Sequence, residues 1–262
     1  MNARAALFDL YGDHLRERDG EAAIAAIIRL LQALDIAAPA VRTAVSRMVR
    51  QGWLEPVRRP SGSSYRLTPR ARRRLDEAAV RIFGKQDLAA WDGLWSLLIV
   101  ERTNQRSRRE RLGRGLEYLG YRQLATGAWI APQPALEADV LIAAEGLKHD
   151  EFRAEFSGES TEMVDRLYSL GALAEAYERW VATAHDVVGG VENDSDRAAF
   201  AARAKLLHEW RKFLFRDPGL PRALVPPHWP GQTAREYFDE QAARLLPRAR
   251  AYVDRCLAGE TE

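Results

Sequence analysis

Cysteine is nearly missing from this chain of 262 residues: Cys256 is the only one. One thiol cannot close a disulfide within the chain or build a thiolate metal site. Long apolar runs are missing too. No stretch approaches 18 uninterrupted apolar residues and the N-terminus carries no apolar signal region, so a soluble, cytoplasmic protein with no membrane partner is expected. Five histidines (His14, His149, His185, His208 and His228) are scattered. None stands at ligand spacing from another histidine, a cysteine or a carboxylate cluster, which disfavours a metal centre. No phosphate-binding loop, dinucleotide fingerprint or G-x-S-x-G elbow occurs. The reading that follows is of a protein that is not an enzyme and carries no cofactor. Lysine is scarce as well, since 35 of the 39 basic residues are arginine. What is present suffices for folding: 47% hydrophobic residues can build real cores, and the length has room for two or three domains.

Formal net charge is only +2, but it is unevenly spread. Residues 1–74 hold 14 arginines and 7 acids, a surplus of +7, whereas residues 75–262 carry a balance of −5. A positive field confined to one end is expected where one module binds nucleic acid and the rest does not.

Within that end lies PAVRTAVSRMVRQGWLEPVRRPSGSSYR, residues 39–66. At 100° per residue, residues 39–51 divide into two faces. Val41, Ala44, Val45, Met48 and Val49 share one arc and are expected to be buried. Arg42, Thr43, Ser46, Arg47 and Arg50 share the other, with no acid among them. A merely solvated face mixes both signs, because i,i+4 acid–base pairs support it. This one is suited to an anion: arginine can bind guanine O6 and N7 with two bonds, and hydroxyls can donate to phosphate or base edges.

Pro39 suits a first helical turn and Gly52 the residue just past the end. Upstream, Ile24, Ile27, Ile28, Leu31 and Leu34 predict a helix over 22–34, with Asp35–Ala38 as the turn of the pair. Downstream, Trp53-Leu54 opens a strand, residues 58–64 form a turn-rich tip, and Tyr65-Arg66-Leu67 returns. Arg58, Arg59, Ser63 and Arg66 on that hairpin would meet phosphates or a minor groove. These are the parts of a winged helix-turn-helix bound to double-stranded DNA. Two other readings of the helix pair stay open: a generic solvated pair, and an interaction module for an acidic protein.

A helix is expected over Ala3–Arg16 and another from Thr68, in which Arg70, Arg72, Arg73 and Arg74 either touch flanking phosphates or are simply solvated. The first boundary is placed near residue 88. Leu94–Val100 reads as a buried strand, Gln105–Leu119 as a strongly charged helix, and residues 120–130 as a hairpin. A helix or strand over Leu136–Gly146 and a strand around Phe152–Phe156 complete β-α-β-β-α-β, the ferredoxin-like plait. Beyond residue 161 the chain reads as helical: Met163–Thr183, Arg197–Leu214, and Thr233–Leu257 interrupted near Pro247, with GGVENDSD as a disorder-prone break. The expected fold class is α+β multidomain: a winged helix-turn-helix (1–88), a ferredoxin-like middle domain (89–160) and an all-helical C-terminal domain (161–262).

Two further sites have candidates. Aromatics interleaved with cations near the C-terminus could hold a small acidic, partly apolar effector: Trp180, His208, Arg211, Arg216, His228 and Trp229. The competing reading makes the tryptophans core. Glu101 ends the first plait strand, where a metal-dependent nuclease would need clustered carboxylates; a structural role is the simpler reading.

Five segments together resemble the PaaX family, transcriptional repressors of phenylacetic acid catabolism: LFDLYGDHL (7–15), AVRTAVSRMVRQGWL (40–54), WDGLWSLLIVER (91–102), LGYRQLATGAWIAP (119–132) and LLHEWRKFLFRDPGLP (206–221). The resemblance spans nearly the whole chain, in order. It implies a winged-helix domain, a middle domain similar to the small CRISPR-associated nuclease, and a helical C-terminal domain. It also implies a homodimer on an imperfect palindromic operator, released by an aryl-acyl-CoA such as phenylacetyl-CoA. By this likeness Arg42, Thr43, Ser46, Arg47 and Arg50 fall on the recognition helix. No effector-pocket residue is carried over.

Overall fold

A computed structural model describes residues 1–60, 62–84, 91–191 and 195–260. Along the chain, α1 (Ala3–Leu10) runs into a π-helical segment (Tyr11–Leu15) and is followed by β1 (Glu21–Ala23), α2 (Ile24–Gln32), α3 (Ala38–Arg50), β2 (Leu54–Arg59), β3 (Gly62–Leu67) and α4 (Pro69–Phe83). Next come β4 (Leu94–Val100), α5 (Arg106–Tyr118), β5 (Arg122–Ala125), β6 (Ala128–Ala131), α6 (Glu137–Ala144) and β7 (His149–Glu155). Four helices follow: α7 (Ser160–Tyr168), α8 (Leu170–Val188), α9 (Asp196–Trp210) and α10 (Pro230–Ala258). The described residues are therefore α+β, with ten α-helices and two antiparallel sheets. No described helix is long and apolar enough to cross a membrane.

The chain divides into two compact units. The first takes Met1–Lys85, Arg179–Arg211 and Ala234–Glu262; the second takes Gln86–Glu178 and Lys212–Thr233. The stretch 161–262 is thus shared between the units. The boundary expected near residue 88 lies outside the described residues, as do Ser61 of the hairpin tip and residues 192–194 of GGVENDSD.

In the first unit, the α2–α3 turn passes through Asp35 in the left-handed region (φ 59°) and α3 opens with proline in its first turn. Gly52 ends α3 at φ 69°, and the next amide, Trp53 N–H, donates back to Met48 O at 2.9 Å. That closure needs a left-handed residue, which glycine supplies without a Cβ penalty. The three-stranded sheet has the order β1-β3-β2. Strand β1 departs from the expected helix over 22–34, which begins only at Ile24. Glu21-Ala22-Ala23 have helix-compatible side chains, but their backbone pairs with Ser64–Arg66 of β3, so tertiary pairing overrides propensity.

The core of this unit joins the chain ends. Leu7, Tyr11, Ile27, Leu31, Val41 and Met48 pack in one cluster with Phe200 of α9 and Tyr252 and Val253 of α10. A fully buried side chain of this kind contributes roughly 1.5–3 kcal/mol. Along the same seam, Asp13 receives two hydrogen bonds from Arg203, at 2.7 and 2.6 Å, with both side chains no more than 5% exposed. Arg203 also donates to Ala242 O. Helix α10 runs unbroken through Pro247, contrary to the interruption expected there, with Leu245 and Ala249 buried on either side. Packing compensates for the one amide bond that proline removes.

The second unit holds the four-stranded sheet β5-β6-β4-β7, antiparallel throughout. With α5 and α6 this is the element order and strand order of the ferredoxin-like plait. The ambiguous segment 136–146 is helical, as α6. Leu98, Val100, Leu112, Leu116, Trp129 and Ile142 form the core beneath the two helices. Trp95 and Ile130 pack instead with Met163, Val164, Leu220 and Leu224. The single helix expected over 163–183 is two: Ser169, at φ 50°, separates α7 from α8.

Candidate nucleic-acid interface

Helix α3 presents the two faces its periodicity requires. Val41, Ala44, Val45 and Met48 are buried, while Val49 is half-buried. Arg42, Thr43, Ser46, Arg47 and Arg50 are all exposed. Thr43 Oγ1 donates to Pro39 O at 2.9 Å, so its hydroxyl is held against its own helix. Among the described residues, Arg42, Arg47 and Arg50 form no ion pair. Three unneutralised guanidinium groups and two hydroxyls therefore share one solvent-facing arc.

The hairpin differs. Arg58 and Ser63 lie opposite each other in the β2–β3 register, both exposed, and Arg58 has no ion pair among the described residues. Arg59 is committed: its Nε and Nη2 donate to the two carboxylate oxygens of Glu21, both at 2.9 Å. Those hydrogen bonds from Arg59 hold the Glu21 carboxyl below the usual carboxylate range. Arg66 donates twice to Glu55 Oε1, at 3.1 and 3.0 Å. The Glu55–Arg66 pair was readable from the hairpin register, which sets those residues face to face. Nothing local announced Glu21, since only the pairing of β1 with β3 brings it beside Arg59. On α4, Arg70, Arg73 and Arg74 are exposed without ion pairs among the described residues, whereas Arg72 donates to Arg16 O at 3.1 Å.

The effector candidates fall into two sets. In the first unit Trp180 is buried edge-on against Trp210, with ring centroids 4.8 Å apart. Beside them, His208 Nδ1 lies 2.9 Å from Asp9 Oδ2 and Arg211 Nε 2.7 Å from Asp9 Oδ1, so both are engaged by one buried carboxylate. In the second unit Arg216 and His228 are exposed, and Trp229 is half-buried edge-on to Tyr177. The first unit also has a shallow groove of about 450 Å³ containing none of these residues. Its arginines are already neutralised: Arg16 by Asp76, Arg203 by Asp13 and Arg250 by Glu17. Glu101 accepts from the Lys148 amide at 3.2 Å, and no group of three or more His, Cys, Asp or Glu among the described residues is placed to hold a metal.

The cationic helix face lies on one unit and the ferredoxin-like plait on the other. Residues 2–71 match the family described as PaaX-like protein, 88–166 the PaaX protein central Cas2-like domain, and 168–255 the PaaX-like protein C-terminal domain. The chain belongs to the PaaX family. It is 28% identical to the transcriptional repressor PaaX of Escherichia coli (strain K12), over all of this chain and 85% of that protein. Among solved structures it is similar to the uncharacterized protein Rv0674 from Mycobacterium tuberculosis, at 25% identity and a TM-score of 0.56, covering 87% of this chain and 89% of that one.

Proposed function

We propose that this chain is a cytoplasmic transcriptional repressor that reads double-stranded operator DNA through a winged helix-turn-helix formed by α2, α3 and the β2–β3 hairpin. The observation that carries the reading is the exposed arc of α3: Arg42, Arg47 and Arg50 unpaired, Thr43 and Ser46 between them, and no acid. In this reading α3 enters a major groove, where Arg47 or Arg50 grips a guanine edge with two bonds and Ser46 meets a neighbouring base or phosphate. The hairpin then touches the backbone chiefly through Arg58, with Ser63 beside it. Likeness to a repressor supports the regulatory role.

A homodimer would set two copies of α3 one helical turn, or a multiple, apart on a palindromic site. The inducer in this reading is a small acidic effector, an aryl-acyl-CoA such as phenylacetyl-CoA. It must bind one conformation better than the other to move the equilibrium. Of the residues proposed to meet it, Arg216 and His228 are exposed, His208, Arg211 and Trp229 are half-buried, and Trp180 is buried. Gel-shift titration of the protein's own upstream DNA, with and without a panel of acyl-CoAs, tests both halves. A retarded complex that one acyl-CoA dissociates is the expected result. Equal affinity for upstream and scrambled duplexes would overturn operator reading, and insensitivity to every acyl-CoA would overturn the effector.

A further inference from the structure

The two sheets of the described residues have four edge strands, and three of them are guarded against pairing with another chain. Strand β1 is only three residues long, β2 contains Pro56, and β5 is four residues broken by a register shift between Gln123 and Ala125. Strand β7 has none of these devices. It runs for seven residues in unbroken register with β4 and contains no proline, glycine or lysine.

Its outer edge is open. The Glu101 N–H donates to Lys148 O at 2.9 Å, which fixes the alternation of the β4–β7 ladder. By that alternation Asp150, Phe152 and Ala154 turn their backbone groups towards β4, while His149, Glu151, Arg153 and Glu155 turn theirs outward. No described residue hydrogen-bonds those outward N–H and C=O groups. Phe152 lies opposite Leu97, on the sheet face away from α5 and α6, and is 51% exposed; Ile99, next along that face of β4, is 42% exposed.

The charges of this edge complement themselves. An antiparallel second copy, related by a two-fold axis at Phe152, sets Glu151 opposite the partner's Arg153 and His149 opposite the partner's Glu155, each twice. An axis at Glu151 or at Arg153 also suits the backbone, but sets that residue against its own like charge. Glu151 and Glu155 pair with no cation among the described residues, and Arg153 gives only Nη2 to Asp92, so each retains capacity for a partner.

We infer that β7 is the strand through which two copies of this chain join, merging their four-stranded sheets into one antiparallel sheet across a two-fold axis at Phe152. The pairing supplies about eight backbone hydrogen bonds and sets the two Phe152 rings side by side as a cross-strand pair. It rests on the homodimer reading above and names the surface that reading needs.

The test measures the dimer dissociation constant of the full chain by sedimentation over a concentration series. Glu151→Arg and Arg153→Glu each set like charges opposite one another twice, and each should raise that constant by about tenfold or more. Mixed in equal amounts, the two variants should associate about as tightly as wild type, because each brings the sign the other lacks. A misfolded variant would not do so. Under mild oxidation Phe152→Cys should cross-link the dimer, whereas Asp150→Cys, about 13 Å from its own copy in this register, should not. Unmoved dissociation constants in both charge reversals, with no cross-link through F152C, overturn the β7 interface and spare the homodimer. A wild type that stays monomeric, free and on its upstream duplex, overturns the homodimer reading and the β7 pairing with it. Tighter binding of a charge-scrambled peptide than of an HDEFRAE peptide to the full chain would assign the edge to a foreign strand and overturn self-pairing.

Discussion

The arginines of α3 and those of the β2–β3 hairpin are the same residue type, exposed to the same solvent, a few residues apart in the chain. They differ in what faces them. On α3 all three stand without a carboxylate among the described residues. On the hairpin two of three are neutralised, Arg59 by Glu21 and Arg66 by Glu55. Exposure therefore does not measure availability to a ligand. A guanidinium already donating to a carboxylate must give up those bonds before it can bind a phosphate. An unpaired one needs only to shed water and counterions.

Arg203 is the extreme of a neutralised arginine, paired with Asp13 and buried. Asp13→Ala leaves that charge uncompensated and should cost about 3–5 kcal/mol in urea unfolding. A loss below about 1 kcal/mol would mean that the seam between the π-helical segment and α9 is not held by this pair. At the opposite limit, Arg47→Ala should weaken upstream-DNA binding by about 1–3 kcal/mol, with a smaller loss on scrambled duplex. Equal losses on the two duplexes would reduce Arg47 to a phosphate contact.

The seam also sets an acid sensitivity. Burial pushes the His14 ring below its ordinary value, against the pull of Asp13. Burial alone would raise the Asp13 carboxyl, but His14 and the Arg203 guanidinium together draw it down. Both groups have depressed values in the folded state, so the unfolded chain binds the additional protons and stability is lost as pH falls. The loss begins below about 6.5 for His14 and continues below about 3.9 for Asp13. His14→Phe should remove the earlier part of the decline in melting temperature. An unaltered profile would place its origin elsewhere.

Smaller effects separate the hairpin arginines. Arg58→Ala should flatten the salt slope by about 0.9 on every sequence, and Arg59→Ala by less, because Glu21 already holds that side chain. Glu21→Gln should then release Arg59 and steepen the slope with little change in melting temperature. If Arg58→Ala and Arg59→Ala behave alike, pairing does not govern availability and the contrast between helix and hairpin fails.

Much of this was legible in the residues. The two faces of α3, its proline start and its glycine stop are local signals, and the structure reproduces each within a residue. Strand β4, helix α5 and the following hairpin were equally readable, because their patterns repeat over short spans. Three features were not. Strand β1 exists only because β3 is there to pair with it. Helix α10 survives Pro247 because its neighbours are packed on both sides. The break at Ser169 divides an apolar pattern that reads as one helix.

What the sequence determined alone is the inventory and its local order: an arginine-lined helix face with no acids, a plait, and a positive charge surplus at one end. Those follow from periodicity and composition, which act over a few residues. Beyond the Glu55–Arg66 pair that the hairpin register sets, which arginines stay free was decided by tertiary structure. Their carboxylate partners come from distant segments: Glu21 meets Arg59 through the pairing of β1 with β3, and Asp13 meets Arg203 across 190 residues of chain. Charge neutralisation is a matter of a few ångströms in space, and sequence distance carries no record of it.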